Sequence, residues 1–133
     1  MEDPVFGTVI YAFTRAQAIE DGELVDVSET AREAGVKFPV AVTRAVWEDV
    51  CEWTEEDSKV KHDGQSVRGR LWDVVSMLRF AIASGRGGAL IHYKLSRIPR
   101  PGHGAKRVVV LKAVCGPGDT EEPVITIMQP DED

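Results

Sequence analysis

The stretch Ala89–Ile98, ALIHYKLSRI, alternates with period two. Ala89, Ile91, Tyr93 and Leu95 fall on one side of an extended chain, and Leu90, His92, Lys94 and Ser96 on the other. One apolar face and one mixed face describe a half-buried strand of an antiparallel sheet. Just downstream, PRPGHGAK at 99–106 reads as a loop, and Arg107–Cys115, centred on Val108, Val109 and Val110, as the returning strand. Cys115-Gly116-Pro117-Gly118-Asp119 breaks that run, and Val124–Met128, VITIM, supplies another strand. The C-terminal part is therefore expected to be a three-stranded antiparallel meander.

Working back toward the N-terminus, Gly85-Arg86-Gly87-Gly88 ends a helix that Ser66 caps, running from Val67 to about Ser84. Leu71, Val74, Val75, Leu78, Ala81 and Ile82 give it a broad apolar stripe. Arg68, Trp72 and Arg79 fall within about 40° of one another on one flank of that stripe. A second helix is expected from Arg44 to Asp57, capped by Thr43, with Val46, Trp47, Val50, Cys51 and Thr54 inward. The acids of its last turn oppose the helix dipole, a small cost for solvent or a basic neighbour to offset. Pro39 holds Phe38 extended. Ser28 is expected to cap a short helix, Glu29–Ala34, stopped by Gly35, and Glu23–Val27 to form a short strand. Thr14-Arg15-Ala16-Gln17 has the form of a capping box, opening a helix that ends at Asp21 with Gly22 as its left-handed stop. Val5–Phe13, VFGTVIYAF, reads as one more strand.

The fold class these elements spell is α+β: the C-terminal meander, open to extension by the N-terminal strand, packed by two main helices. The 133 residues suit one globular domain, 1–133, with a short acidic C-terminal tail. A chain of this size builds a sufficient core without disulfide or metal. It has no apolar run of about 18 residues, so no membrane partner is expected. The acidic start, Met1-Glu2-Asp3-Pro4, lacks the basic-then-apolar order of a secretory signal if it is the native start. Cys51 and Cys115 lie inside apolar patterns and are expected to be buried, reduced thiols, which suits a cytoplasmic protein.

Charge is segregated in blocks. Residues 1–67 carry 15 acids and 6 bases, residues 68–112 carry 10 bases and the single acid Asp73, and residues 113–133 carry 6 acids and no base. The overall charge of −6 thus hides a strongly basic segment. Arg97, Arg100, His103, Lys106 and Arg107 cluster at the expected hairpin end, with Lys94 and His92 on one face of the first strand and Lys112 on the returning strand. Such a ribbon can dock an acidic protein surface or lie along phosphates. It can also be a solvated hairpin whose charges protect a sheet edge, or pair with acids of the Glu48–Asp57 helix. The acidic remainder of the chain works against phosphate approach. Arg68, Trp72 and Arg79 form either an aromatic and guanidinium patch for a partner or a core Trp with arginines passing it.

No catalytic set is read. GxSxG is missing, neither Cys has an activating context, and His62, His92 and His103 lack metal-ligand spacing, so no cofactor and no metal are assigned. Gly85-Arg86-Gly87-Gly88 follows a helix and precedes a strand, the reverse of a phosphate cradle.

Several stretches together are familiar: Thr14–Gly22 (TRAQAIEDG), Leu24–Ser28, Phe38-Pro39-Val40, Thr43–Asp49 (TRAVWED), Gly69–Val74 (GRLWDV), Val114–Asp119 and Pro123–Met128. The chain resembles an uncharacterised family of short proteins encoded on bacterial plasmids, integrative elements and phages. The resemblance implies a mobile-element origin and a cytoplasmic bacterial setting, and assigns no activity or site residues. In its opening layout, Tyr11–Thr14 before a helix ending at Gly22, the chain is also similar to ADP-ribosyltransferase-type folds, but the histidine expected at that strand's end is missing.

The expected function is that of a non-enzymatic protein-binding module of a mobile element, with counter-defence among its roles. Its contact residues would be Lys94, Arg97, Arg100, His103, Lys106, Arg107, Arg68, Trp72 and Arg79, and its partner a bacterial or mobile-element protein. A nucleic-acid-binding accessory and a small enzyme are the alternatives.

Overall fold

The computed structural model describes residues 14–60, 64–85, 88–100 and 107–133. The expected strand Val5–Phe13, His62, His103 and Lys106 lie outside them. The fold is α+β. Five strands form one mixed sheet: β1 (Leu24–Asp26), β2 (Val40–Thr43), β3 (Leu90–Arg97), β4 (Arg107–Pro117) and β5 (Pro123–Met128), in the order β1-β2-β5-β4-β3. β3, β4 and β5 pair antiparallel in succession, with Tyr93 opposite Leu111 and Cys115 opposite Ile125. β2 lies parallel to β5, and β1 antiparallel to β2. β2 goes beyond the sequence expectation, which took Phe38 as extended and placed nothing between it and Thr43. Val40, Ala41 and Val42 are all buried, the near-continuous apolar run of a strand covered on both faces.

The first helix, α1 (Arg15–Asp21), has the expected capping box and the expected stop at Gly22. Its N-terminus is fixed from outside by Asp119, whose carboxylate accepts from the amides of Arg15 at 2.8 Å and Ala16 at 3.0 Å. Those two N–H groups hold the Asp119 carboxyl below the usual carboxylate range. In α2 (Ser28–Glu33), Ser28 does not cap as expected. Its hydroxyl donates instead to the Asp26 carboxylate at 2.6 Å and accepts from the Val40 amide at 2.9 Å, tying the helix start to β2.

The helix expected over Arg44–Asp57 is three pieces. A single turn, α3 (Arg44–Val46), capped by Thr43 as expected, leads into a π-helical turn, Trp47–Cys51. The chain is extended at Glu52, and α4 (Glu55–Val60) begins afresh. Thr54 and Asp57 cause the restart: the Thr54 amide donates to the Asp57 carboxylate at 2.9 Å, and the Asp57 amide to the Thr54 hydroxyl at 3.2 Å. Glu55, Glu56 and Asp57 thus stand in a first turn, where the helix dipole favours acids, and the expected opposition disappears.

The long helix α5 (Val67–Ala83) carries the expected Ser66 cap. Leu71, Val74, Val75 and Leu78 are buried against the sheet, where Tyr93, Leu95, Leu111 and Ala113 meet them. Tyr93 donates its hydroxyl proton to the Val74 carbonyl at 3.0 Å, so the one polar atom of that ring is satisfied within the core. Ile82, expected inward, is 37% exposed. Cys51 is buried as expected, whereas Cys115 is only half-buried. Among the described residues no helix is long and apolar enough to cross a membrane.

Candidate functional site

The basic segment divides in two. Arg97 ends β3 on its inward-facing side and pairs with Asp49 of the π-helical turn, Nη2 to Oδ1 at 2.9 Å. Arg100 follows β3 and reaches Asp57, Nε to Oδ2 at 2.7 Å, with Glu52 at 3.4 Å. For these two arginines the internal pairing weighed from the sequence is what the structure holds. Asp57 is 2% exposed. Burial would raise its carboxyl, but the Thr54 amide and the Arg100 guanidinium outweigh that and hold it below its ordinary value.

Arg70 completes the cluster from α5. It is 4% exposed, and its guanidinium lies 4.9 Å from the centre of the Trp53 ring. It donates to the carbonyls of Ile98 at 3.0 Å and Asp49 at 3.2 Å, and to the Gln65 side chain at 3.2 Å. Burial, aided by the nearby cations Arg97 and Arg100, lowers its pKa. Burial also pushes the adjacent Cys51 thiol up to about 12, so this sulfur is inert at neutral pH. Arg70, Arg97 and Arg100 thereby bind the π-helical turn, α4, α5 and the end of β3 together. Sequence reading missed Arg70 and Trp53. One signal was available: Arg70 lies at i, i+4, i+8 with Val74 and Leu78, in the apolar stripe itself.

The remaining predicted residues that the structure describes, Lys94, Arg107, Arg68, Trp72 and Arg79, are exposed. Lys94 is exposed on the outer side of the β3–β4 ribbon, beside Val108 (64% exposed) and Val110 (39%), whereas Arg107, also exposed, stands opposite Arg97 on the other face at the ribbon's end. Trp72 is 43% exposed, so it is not a core residue, and it lines an open cleft with Arg68, Glu29 and Glu33 between α2 and α5. Met77 and Phe80 are exposed on the same helix, Phe80 at 71%. A shallow hollow lined by Asp73, Met77, Lys94, Ser96 and Val108 joins α5 to the ribbon. Arg79 points elsewhere, over Gly35. The structure therefore brings Lys94 near Met77 on α5, and commits Arg97 and Arg100 to acids of the 47–57 segment.

A further concavity, about 410 Å³, opens between the 35–38 loop, α5 and the sheet. Its lining is mostly apolar. Among the described residues no group of three His, Cys, Asp or Glu side chains is placed to hold a metal ion.

A family model, the family of unknown function DUF6573, matches residues 5–133. The chain belongs to this family. The match agrees with the resemblance to an uncharacterised family, and the family's description gives its function as unknown. No curated protein matches the chain. No solved structure matches it.

Proposed function

We propose that this DUF6573 chain is a non-enzymatic protein-binding accessory of a mobile genetic element, working in the bacterial cytoplasm, with counter-defence as the role to test first. The observation that carries the reading is the exposure of Trp72, Met77 and Phe80 along the solvent side of α5, continued across the Met77–Lys94 hollow to Val108 and Val110. Large apolar side chains that adjoin in this way are costly to leave in water and mark contact surfaces. Arg68 lines the Trp72 cleft with Glu29 and Glu33, and Lys94 lines the hollow with Asp73, so charges of both signs border these side chains and can orient a protein partner of complementary pattern. Trp and Arg are also the residue types that anchor interfaces most strongly.

Trp72→Ser with Phe80→Ser should leave the fold intact, because both side chains are already exposed. It should abolish capture of partners that the wild-type chain retains from bacterial lysate at about 150 mM salt. Arg97→Gln, which touches an internal ion pair, should change the captured set far less. If the Ser variant keeps every wild-type partner, the reading fails. A duplex or single-strand gel shift that weakens steeply with salt and is lost in Lys94→Glu with Arg107→Glu would replace it with nucleic-acid binding.

A further inference from the structure

We propose that the cavity between the 35–38 loop and the C-terminal half of α5 is a binding site for a small apolar molecule bearing an anionic group, of the chemical class of medium-chain carboxylates. Its walls are Leu78 and Ile82 from α5, Ile91 and Ala113 from the sheet, and Phe38 from the loop. A volume of about 410 Å³ lies in the range of small-molecule sites and far exceeds what a packing defect leaves. Water in such a space finds few polar partners, so an apolar ligand displaces it favourably.

The charge at the lining is one-signed. Lys37 and Arg79 both border the cavity, and among the described residues no acid does. Neither cation forms an ion pair with an acid of the described residues. Gly35 makes the position of Arg79 possible. Its φ of +101° suits glycine, and a Cβ there would stand 3.0 Å from Arg79 Nε. The guanidinium stem thus lies across a turn that only glycine leaves open, beside an apolar hole. An anion held by a guanidinium and an ammonium, with its apolar part among Leu78, Ile91 and Ala113, satisfies both features. Phe38 and Ile82, at 44% and 37% exposed, are the apolar groups such a ligand would cover. The site shares none of the side chains on which the protein-binding surface rests.

Cys115 lines the cavity and is half-buried, while Cys51 is buried with its thiol pushed up to about 12, so a maleimide reports on Cys115 alone. Decanoate and decanol are titrated into the full chain, with calorimetry for binding and maleimide labelling of Cys115 for location. The expected result is saturable decanoate binding that slows Cys115 labelling about tenfold. Lys37→Gln with Arg79→Gln should weaken decanoate about tenfold, one factor of ten in Kd, and leave decanol unchanged. Ala113→Leu, which narrows the cavity, should weaken both. The proposal is overturned if decanoate does not saturate. Equal binding of the two probes with no response to the Gln pair also overturns it. So does Cys115 already protected in the ligand-free chain, whether by a second copy seen in sedimentation or by residues 5–13 of its own chain.

Discussion

Asp57 and Arg70 show how single residues acquire roles that their neighbours in sequence do not announce. Asp57 sits in a run of acids, Glu55-Glu56-Asp57, which looks like a solvated face. Only Asp57 of the three is buried, and it both restarts a helix and receives Arg100. Since the folded state depresses its carboxyl, the unfolded chain takes up the proton first as pH falls. The stability it contributes is complete above the unfolded-state pKa, about 3.9, and is lost as pH drops through the lower folded value. Urea unfolding from about pH 6 down to about pH 2 should therefore show a steeper acid loss for wild type than for Asp57→Asn. Equal slopes would mean that the Arg100 contact does not couple to folding.

Arg70 is the costlier position. Arg70→Ala removes a stacked guanidinium and leaves the Ile98 and Asp49 carbonyls without their donor. A loss of about 2–4 kcal/mol is expected from urea unfolding, combining a lost buried side chain with unpaired acceptors. Arg70→Met, which refills the volume, should recover part of that loss because Nε finds no partner among the described residues of the wild type.

At the scale of elements, α1, α5 and the strands of the meander were legible because each has a local signature. A capping box, a Ser cap with an apolar stripe, and strict alternation act over a few residues and survive tertiary context. The segment 44–60 was not legible in this way. Its apolar spacing from Val46 to Thr54 fits one helix, yet Thr54 and Asp57 compete for the same backbone groups and win. The π-helical turn before them absorbs the mismatch, as such turns often do near functional or strained places. Thr54→Ala should cost about 1 kcal/mol in thermal or urea unfolding and should lower helix content locally around Glu55–Val60. An unchanged stability would show that Arg100, and not the cap, fixes α4. β2 was missed for a different reason. Four residues, Val40–Thr43, are too few for alternation to show, and a strand buried on both faces has none to display.

Taken as a whole, the molecule depends on the parallel contact of β2 with β5, which joins the β1–β2 pair to the β3–β4 ribbon within one sheet. Ile127 stands at that junction, opposite Val42, and is fully buried. Ile127→Ala should cost about 2–5 kcal/mol. Tryptophan fluorescence, which reports on Trp47, Trp53 and Trp72, and far-ultraviolet circular dichroism should shift together in urea. Separate midpoints would show that the two halves of the sheet unfold independently.

The candidate surface has the same mixed origin. The charge blocks, the exposed mixed side of β3 and the clustering of Arg68 with Trp72 follow from sequence alone, since segregation and period are local properties. Which arginines stay free depends on the three-dimensional path of the acids. Asp49 and Asp57 lie 48 and 43 residues before their partners, Arg97 and Arg100, and no spacing rule spans that distance. So the sequence by itself determined the α+β class, the caps, the strand faces and the basic segment. Tertiary structure alone decided that Arg97 and Arg100 face inward, that Trp72 and Phe80 face solvent, and that Lys37 and Arg79 meet at one apolar cavity. Those outcomes turn on burial and charge pairing between segments remote in the chain, and such pairings exist only once the sheet has closed around its core.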